Sequence, residues 1–302
     1  MNISTRNTIA QSGFSSISQS QTTQDATKSY DPFEGDKYLS LFKTLAVDTR
    51  EETAKRPMPT ENKYRKAKPA NKFVKWLVRG IIRIIWAFGG KNDKADGIPR
   101  LYGKDIKELL PTLQAGDIIL NGNNAGLSHL AMYAGDGQII HSMATEKTMR
   151  GTWGAIWDAI KACFVGVPED EKTGVLKESL AGFLNRFERD TYIVVRREDL
   201  TAAQREAGLA RLNELVGKPY DYDFSAGDDE YYCTELTVEY LDAALGREHS
   251  TVFPTTHHNY GIFKTDGIEP VNVLQHPLLT PIAASKSADV NFAPYLGNAT
   301  SY

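Results

Sequence analysis

The chain has 302 residues, enough for one large domain with extensions or two modest ones. Its 35 Lys and Arg against 38 Asp and Glu, with 41% hydrophobic residues, exclude a uniformly basic nucleic-acid binder and a wholly disordered chain. Two cysteines, Cys163 and Cys233, exclude a disulfide framework and a thiolate zinc site and fit free thiols in a reducing compartment.

Eighteen of the first thirty residues are Ser, Thr, Gln or Asn. Residues 1–32 therefore read as a disordered polar leader, since such a segment buries too little surface to offset its ordering entropy. The leader lacks the apolar core of a Sec-type signal peptide. Synthesis in the cytoplasm follows, and the polar composition is compatible with contact-dependent translocation into a target cell. Residues 33–110 read as a helical extension, opening with a helix over 33–56.

Residues 62–91 hold nine basic side chains and no acidic one, leaving −12 for the rest of the chain. Within this band the sequence predicts a helix over 71–88. Lys72, Lys75, Arg79 and Arg83 fall on one stripe of it, beside a wide apolar arc that includes Phe73, Trp76, Val78 and Trp86. Three occupants fit that pattern: the core of this protein, an anionic membrane surface, or a protein partner. The four cations are the membrane-contact candidates. Their density argues against a spanning segment.

From residue 111 onward the pattern becomes strand-rich. Gly116-Asp117 leads into Ile118-Ile119-Leu120, and strands are predicted at 128–134 and 138–143 around Gly135-Asp136-Gly137. Helices are predicted at 153–163, 171–187, from the Thr201/Gln204 capping box to about Val216, and from Tyr231 to Leu245 before Gly246. Thr191–Val195 reads as a strand, Val271–Leu274 as a last strand, and 281–302 as a loose tail.

Cys233 falls at the start of a predicted helix, where free N–H groups and the helix dipole favour a thiolate and an oxyanion. The acidic residues Asp228, Asp229 and Glu230 oppose this and call for a basic partner. Cys163, on an apolar helix face, reads as core. His129 and His141 flank the hairpin, and an odd loop would put both imidazoles on one sheet face, whereas an even loop would oppose them. A same-face pair beside Cys233 would supply a general base and a group that fixes its tautomer. A Cys/His/His metal site lacks a clear fourth ligand; His257-His258 is the remaining candidate.

Three stretches carry a resemblance: Gly116–Leu120 with Ser128–Tyr133 and Gln138–Ser142; Gly217–Phe224 after Arg196-Arg197; and Tyr231–Leu236. Together they resemble the permuted papain-like cysteine enzymes, in the YiiX-like branch of the NlpC-type superfamily related to lecithin:retinol acyltransferases. The resemblance covers residues 111–280. It implies an α+β, circularly permuted papain-like domain, an antiparallel sheet or half-barrel packed on a cysteine-bearing helix that follows it. It further implies Cys233 as nucleophile, His129 as base and His141 in the third polar position, with Tyr220, Glu235 and Asp117 supporting the site. YiiX-like members often carry Glu where this chain has His141.

The expected activity is acyl transfer through a Cys233 thioester on an amide- or ester-bearing protein, peptide or lipid, with no cofactor and no metal. Hydrolase and acyltransferase are both open, as is action near a membrane. The alternative is a non-catalytic binding protein that presents the basic helix to a membrane or partner.

Overall fold

A computed structural model describes residues 71–89, 107–123, 126–144, 173–186, 191–225, 229–246, 252–259 and 264–301. The expectations for the leader, the helices at 33–56 and 153–163, and Cys163 lie outside these residues. Among the described residues no helix is long and apolar enough to cross a membrane.

Helix α1 (Lys72–Gly89) begins where Asn71 accepts the Val74 N–H at 2.9 Å. The sheet then builds from β1 (Ile118–Asn123), β2 (Gly126–Gly135), β3 (Gln138–Met143), β4 (Gly174–Ser179) and β5 (Thr191–Arg196). Helix α2 (Leu180–Arg186) follows β4 directly, and α3 (Ala202–Leu215) and α4 (Glu235–Leu245) follow β5. The strands β6 (Thr256–Asn259) and β7 (Lys264–Gly267) form a separate hairpin. The chain closes with α5 (Pro270–Leu274), β8 (Thr280–Ala284), α6 (Ala288–Leu296) and β9 (Thr300–Ser301). The main sheet runs β4-β3-β2-β1-β5-β8-β9, antiparallel throughout except for the parallel β8–β9 pair.

Period-2 alternation divides the core into two layers. Ile118, Leu120, Leu130, Met132, Ile140, Val175, Ile193 and Val195 share one layer with α3 and α4. Ile119, Ala131, Tyr133, Ile139, Tyr192 and Val194 share the other with Leu180, Phe183 and Leu184 of α2. Burial on both faces explains why β1 reads as a continuous apolar run rather than an alternating one. Where α3 crosses α4, Gly208 lies against the Tyr240 ring, and a Cβ there would sit 2.5 Å from two ring carbons. A side chain at that position would force the two helices apart.

Three sequence expectations are corrected. The segment predicted as helix 171–187 is helical only from Leu180 to Arg186, and 174–179 is strand β4. The Leu176–Leu180–Phe183–Leu184 spacing suggests a helix, yet the open edge of β3 captures the first half through six paired residues. Val271–Leu274 belongs to a helix, because Pro270 opens it and the Glu269/Asn272 capping box closes its free N–H groups. The tail is ordered: β8 pairs with β5, and Phe292 and Leu296 are buried. The Thr201/Gln204 capping box is present as the sequence predicts.

Candidate active site

The hairpin that carries the two histidines turns on Asp136 and Gly137, both in the left-handed region (φ 51° and 68°). A two-residue turn is even, and on its own would set His129 and His141 on opposite faces. A bulge between Tyr133 and Gly135 adds one residue and restores the odd count. Both imidazoles then share a face, with His129 Nε2 2.9 Å from His141 Nδ1. The rings meet edge-on, and each also lies against Phe183 of α2, at 5.6 Å for His129 and 5.4 Å for His141. Both are buried, His141 completely. On the far side, His141 Nε2 lies 2.9 Å from Glu178 Oε1 of β4, an ion-pair distance.

Cys233 lies in a turn two residues before α4, with Thr234 as N-cap. Its side chain is buried and belongs to the core cluster that includes residues of α3 and α4. The histidines and the Cys233 turn are tied together at the end of β3. Ser142, the residue after His141, donates its hydroxyl to the carbonyl of Tyr231, two residues before Cys233. Tyr222 likewise donates to Ala144 O at 2.9 Å. The turn is held on its other sides by Tyr231 N–H to Pro219 O, by Thr234 Oγ1 to Ile268 O, and by Ile268 N–H to Tyr232 Oη.

Glu235 closes the turn by accepting the Tyr232 N–H at 2.8 Å. It is buried, and desolvation pushes its carboxyl well above the usual range, against the pull of that hydrogen bond. A raised acid pKa means that the folded state holds the proton longer. Stability from this group is therefore present below the unfolded value near 4.5 and is lost as pH rises toward the folded one. His276, buried against Phe253 with its pKa pushed down to about 4, works in the opposite sense between pH 4 and 6.5. The difference between wild type and Glu235→Gln isolates the first effect. Chemical denaturation should show Glu235→Gln gaining on wild type as pH rises, and a constant difference would refute the assignment.

Of the acidic residues just before Cys233, Asp229 pairs with Lys218 at 3.4 Å, and Glu230 finds its counter-charges on α1. Lys75 Nζ lies 3.2 Å from both Asp223 Oδ1 and Glu230 Oε2. Arg79 lies 3.7 Å from Glu230 and 5.1 Å above the Tyr222 ring. Val78, between them, is buried in the core. The helix thus docks through the middle of its basic stripe, with Lys75 and Arg79 against acidic groups of the protein. Lys72 is exposed, and the side chain of Arg83 lies outside the described residues. Phe73 and Trp76 stack at 5.8 Å on the exposed side. Asp221, Asp223 and Glu230 place ligand oxygens within 4.8 Å of one another, a spacing a cation could use, and the Lys75 ammonium already answers two of the three.

Asp117 stands apart from the histidines. It grips Arg196 through two contacts, at 2.7 and 2.8 Å, and accepts the Gln114 N–H at 2.7 Å. Its backbone pairs with Tyr133, four residues and about 13 Å along β2 from His129. Asp117 is therefore a structural ion-pair partner at the opposite end of the strand, a correction to its placement in the site. Tyr220 is buried and packs edge-on against Tyr222 and Phe224. His257 pairs with Asp266 on the separate β6–β7 hairpin.

Sequence reasoning missed Glu178, Ser142 and the Lys75–Asp223 contact. Glu178 was concealed by the helical reading of its strand. Gly174, the first residue of β4, at φ 84° and with no room for a Cβ against Lys218 O, is the local signal that the chain is not helical there.

Comparison with known proteins gives the family. A family model described as permuted papain-like amidase enzyme, YaeF/YiiX, C92 family, matches residues 112–283. The uncharacterized protein YiiX of Escherichia coli K12 is 37% identical over 60 residues, 20% of this chain and 30% of the relative's length. A solved structure described as metalloprotein yiiX, from Escherichia coli O157:H7, aligns over 56% of this chain and 96% of its own at 18% identity and a TM-score of 0.35, too loose to transfer geometry. With strands β1 to β5 of the sheet preceding the Cys233 turn and its helix, this chain belongs to the permuted papain-like amidases of the YaeF/YiiX, C92 family.

Proposed function

We propose that this protein is a cysteine-dependent amidase in which Cys233 is the nucleophile and His129 the general base. The observation that carries the reading is the buried His129–His141 contact on strands whose end is tied by Ser142 to the Cys233 turn. The Cys233 thiol gives its proton to His129 and the sulfur attacks an amide carbonyl. The Cys233 N–H, at the start of α4, helps hold the oxyanion. The tetrahedral intermediate collapses to a thioester as His129 returns the proton to the leaving amine. Water, or a second amine or hydroxyl, then attacks the thioester and restores the thiol, which makes hydrolysis and acyl transfer branches of one mechanism.

The burial of Cys233 among apolar side chains favours a second reading, in which the thiol is only a core residue and the fold serves binding. A chloroacetamide probe separates the two. The amidase reading predicts labelling of Cys233 over Cys163, lost in His129→Ala. Equal labelling of both cysteines, indifferent to His129, would establish the binding reading.

A further inference from the structure

We propose that Glu178 is a positioning residue for the catalytic base, acting through His141. The inference rests on the His129 reading above and adds a third group to it, from a strand outside the hairpin. Glu178 pairs with Ile139 across the β3–β4 ladder, so its side chain is a diagonal neighbour of His141 on the same face. Its Oε1 lies 2.9 Å from His141 Nε2, and His141 Nδ1 lies 2.9 Å from His129 Nε2. Three groups on three adjacent strands thus form one line, β4 to β3 to β2.

The order of the line fixes the protons. The Glu178–His141 contact is an ion-pair distance without the alignment of a hydrogen bond, yet a carboxylate oxygen at 2.9 Å, which can only accept, still favours the hydrogen on the His141 nitrogen that faces it. The neutral ring then presents Nδ1 as a lone pair, and only an N–H on His129 Nε2 can satisfy it. His129 is thereby left with Nδ1 as the basic nitrogen. When His129 takes the thiol proton on Nδ1, its charge is delocalised onto Nε2–H, which points down the line toward the Glu178 carboxylate. With an amide in place of the carboxylate, the far end can donate as well as accept. His141 then has no preferred tautomer, and the basic nitrogen of His129 is no longer specified.

The Glu178 carboxylate lies two strands from His129, and His141 acts as the spacer that reaches it. Phe183 packs against both imidazoles and holds the two rings in place. Glu178 touches no reacting atom, so its effect should be smaller than that of removing the base.

The test uses the full chain with 15N-labelled histidine and compares wild type, Glu178→Gln and Glu178→Asp. Wild type should show His141 as the Nε2–H tautomer by its ring nitrogen shifts. In Glu178→Gln that signature should be lost, and kcat for amide hydrolysis should fall by about 10- to 100-fold with KM little changed. A carboxylate touching the base directly is worth roughly 10⁴-fold, and one intervening ring weakens the hold. Glu178→Asp should restore the tautomer in part and kcat with it. Unchanged His141 shifts in Glu178→Gln, or changed shifts with kcat intact, would overturn the proposal. If wild-type turnover proves independent of His129, the amidase reading fails instead, and the His141 shifts alone then decide whether Glu178 holds that ring.

Discussion

Replacing Lys75 by methionine is expected to destabilise the protein by about 3–5 kcal/mol and to lower its Tm by roughly 10 °C. Asp223 is 1% exposed, Lys75 only 15%, and the two meet at 3.2 Å. Glu230 shares the same ammonium, and Asp221 contributes a third carboxylate to the cluster. Removing Lys75 leaves three acidic groups crowded together with only Arg79 near Glu230, and two of them, Asp221 and Asp223, have no access to water. The desolvation cost of the carboxylates remains while their compensation is lost. Methionine keeps most of the apolar stem, so lost packing contributes little. The same change at exposed Lys72, one turn earlier, should stay within about 0.5 kcal/mol. Equal effects of the two substitutions in thermal or urea unfolding would show that α1 does not dock through Lys75.

Changing His129 to alanine is expected to reduce kcat for amide hydrolysis by about 10²- to 10⁴-fold, with the fold retained. The imidazole is buried but not part of the apolar layers, and it lies at an end of β2 where the pairing with β1 is already irregular, between Asn121 and Gly122. Its loss removes the acceptor for the thiol proton. Asp117→Ala provides the contrast. It breaks the bidentate Arg196 contact in a buried setting, so stability should fall while the turnover of the folded fraction stays near wild type. A kinetic defect in Asp117→Ala matching that of His129→Ala would contradict the separation of the two ends of the sheet.

The parts of this protein that were legible in its sequence are those fixed by local chemistry. The Thr201/Gln204 capping box, the Asp136-Gly137 turn and the Gly246 helix end are each specified by a few adjacent residues. The hairpin histidines were legible as a pair, but their shared face depends on a bulge at Ala134 that no residue announces. Segments whose identity depends on a distant neighbour were misread. Strand β4 carries helical spacing and becomes a strand because β3 offers it an edge, and with it Glu178 was missed. The basic stripe of α1 looked free because its partners, Asp223 and Glu230, lie about 150 residues away. Charge patterning showed that a counter-surface was needed. It could not show that the counter-surface was the acidic approach to Cys233.

The central claim, that Cys233 carries the acyl group, is tested most directly by trapping the intermediate. The protein would be exposed to candidate amide substrates, quenched in acid, digested and analysed by mass spectrometry. A hydroxylamine-sensitive acyl adduct on the peptide bearing Cys233, absent in Cys233→Ala and accumulating when deacylation is slowed, is the predicted result. Substrate turnover that persists in Cys233→Ala, with no adduct on that peptide in wild type, would contradict it.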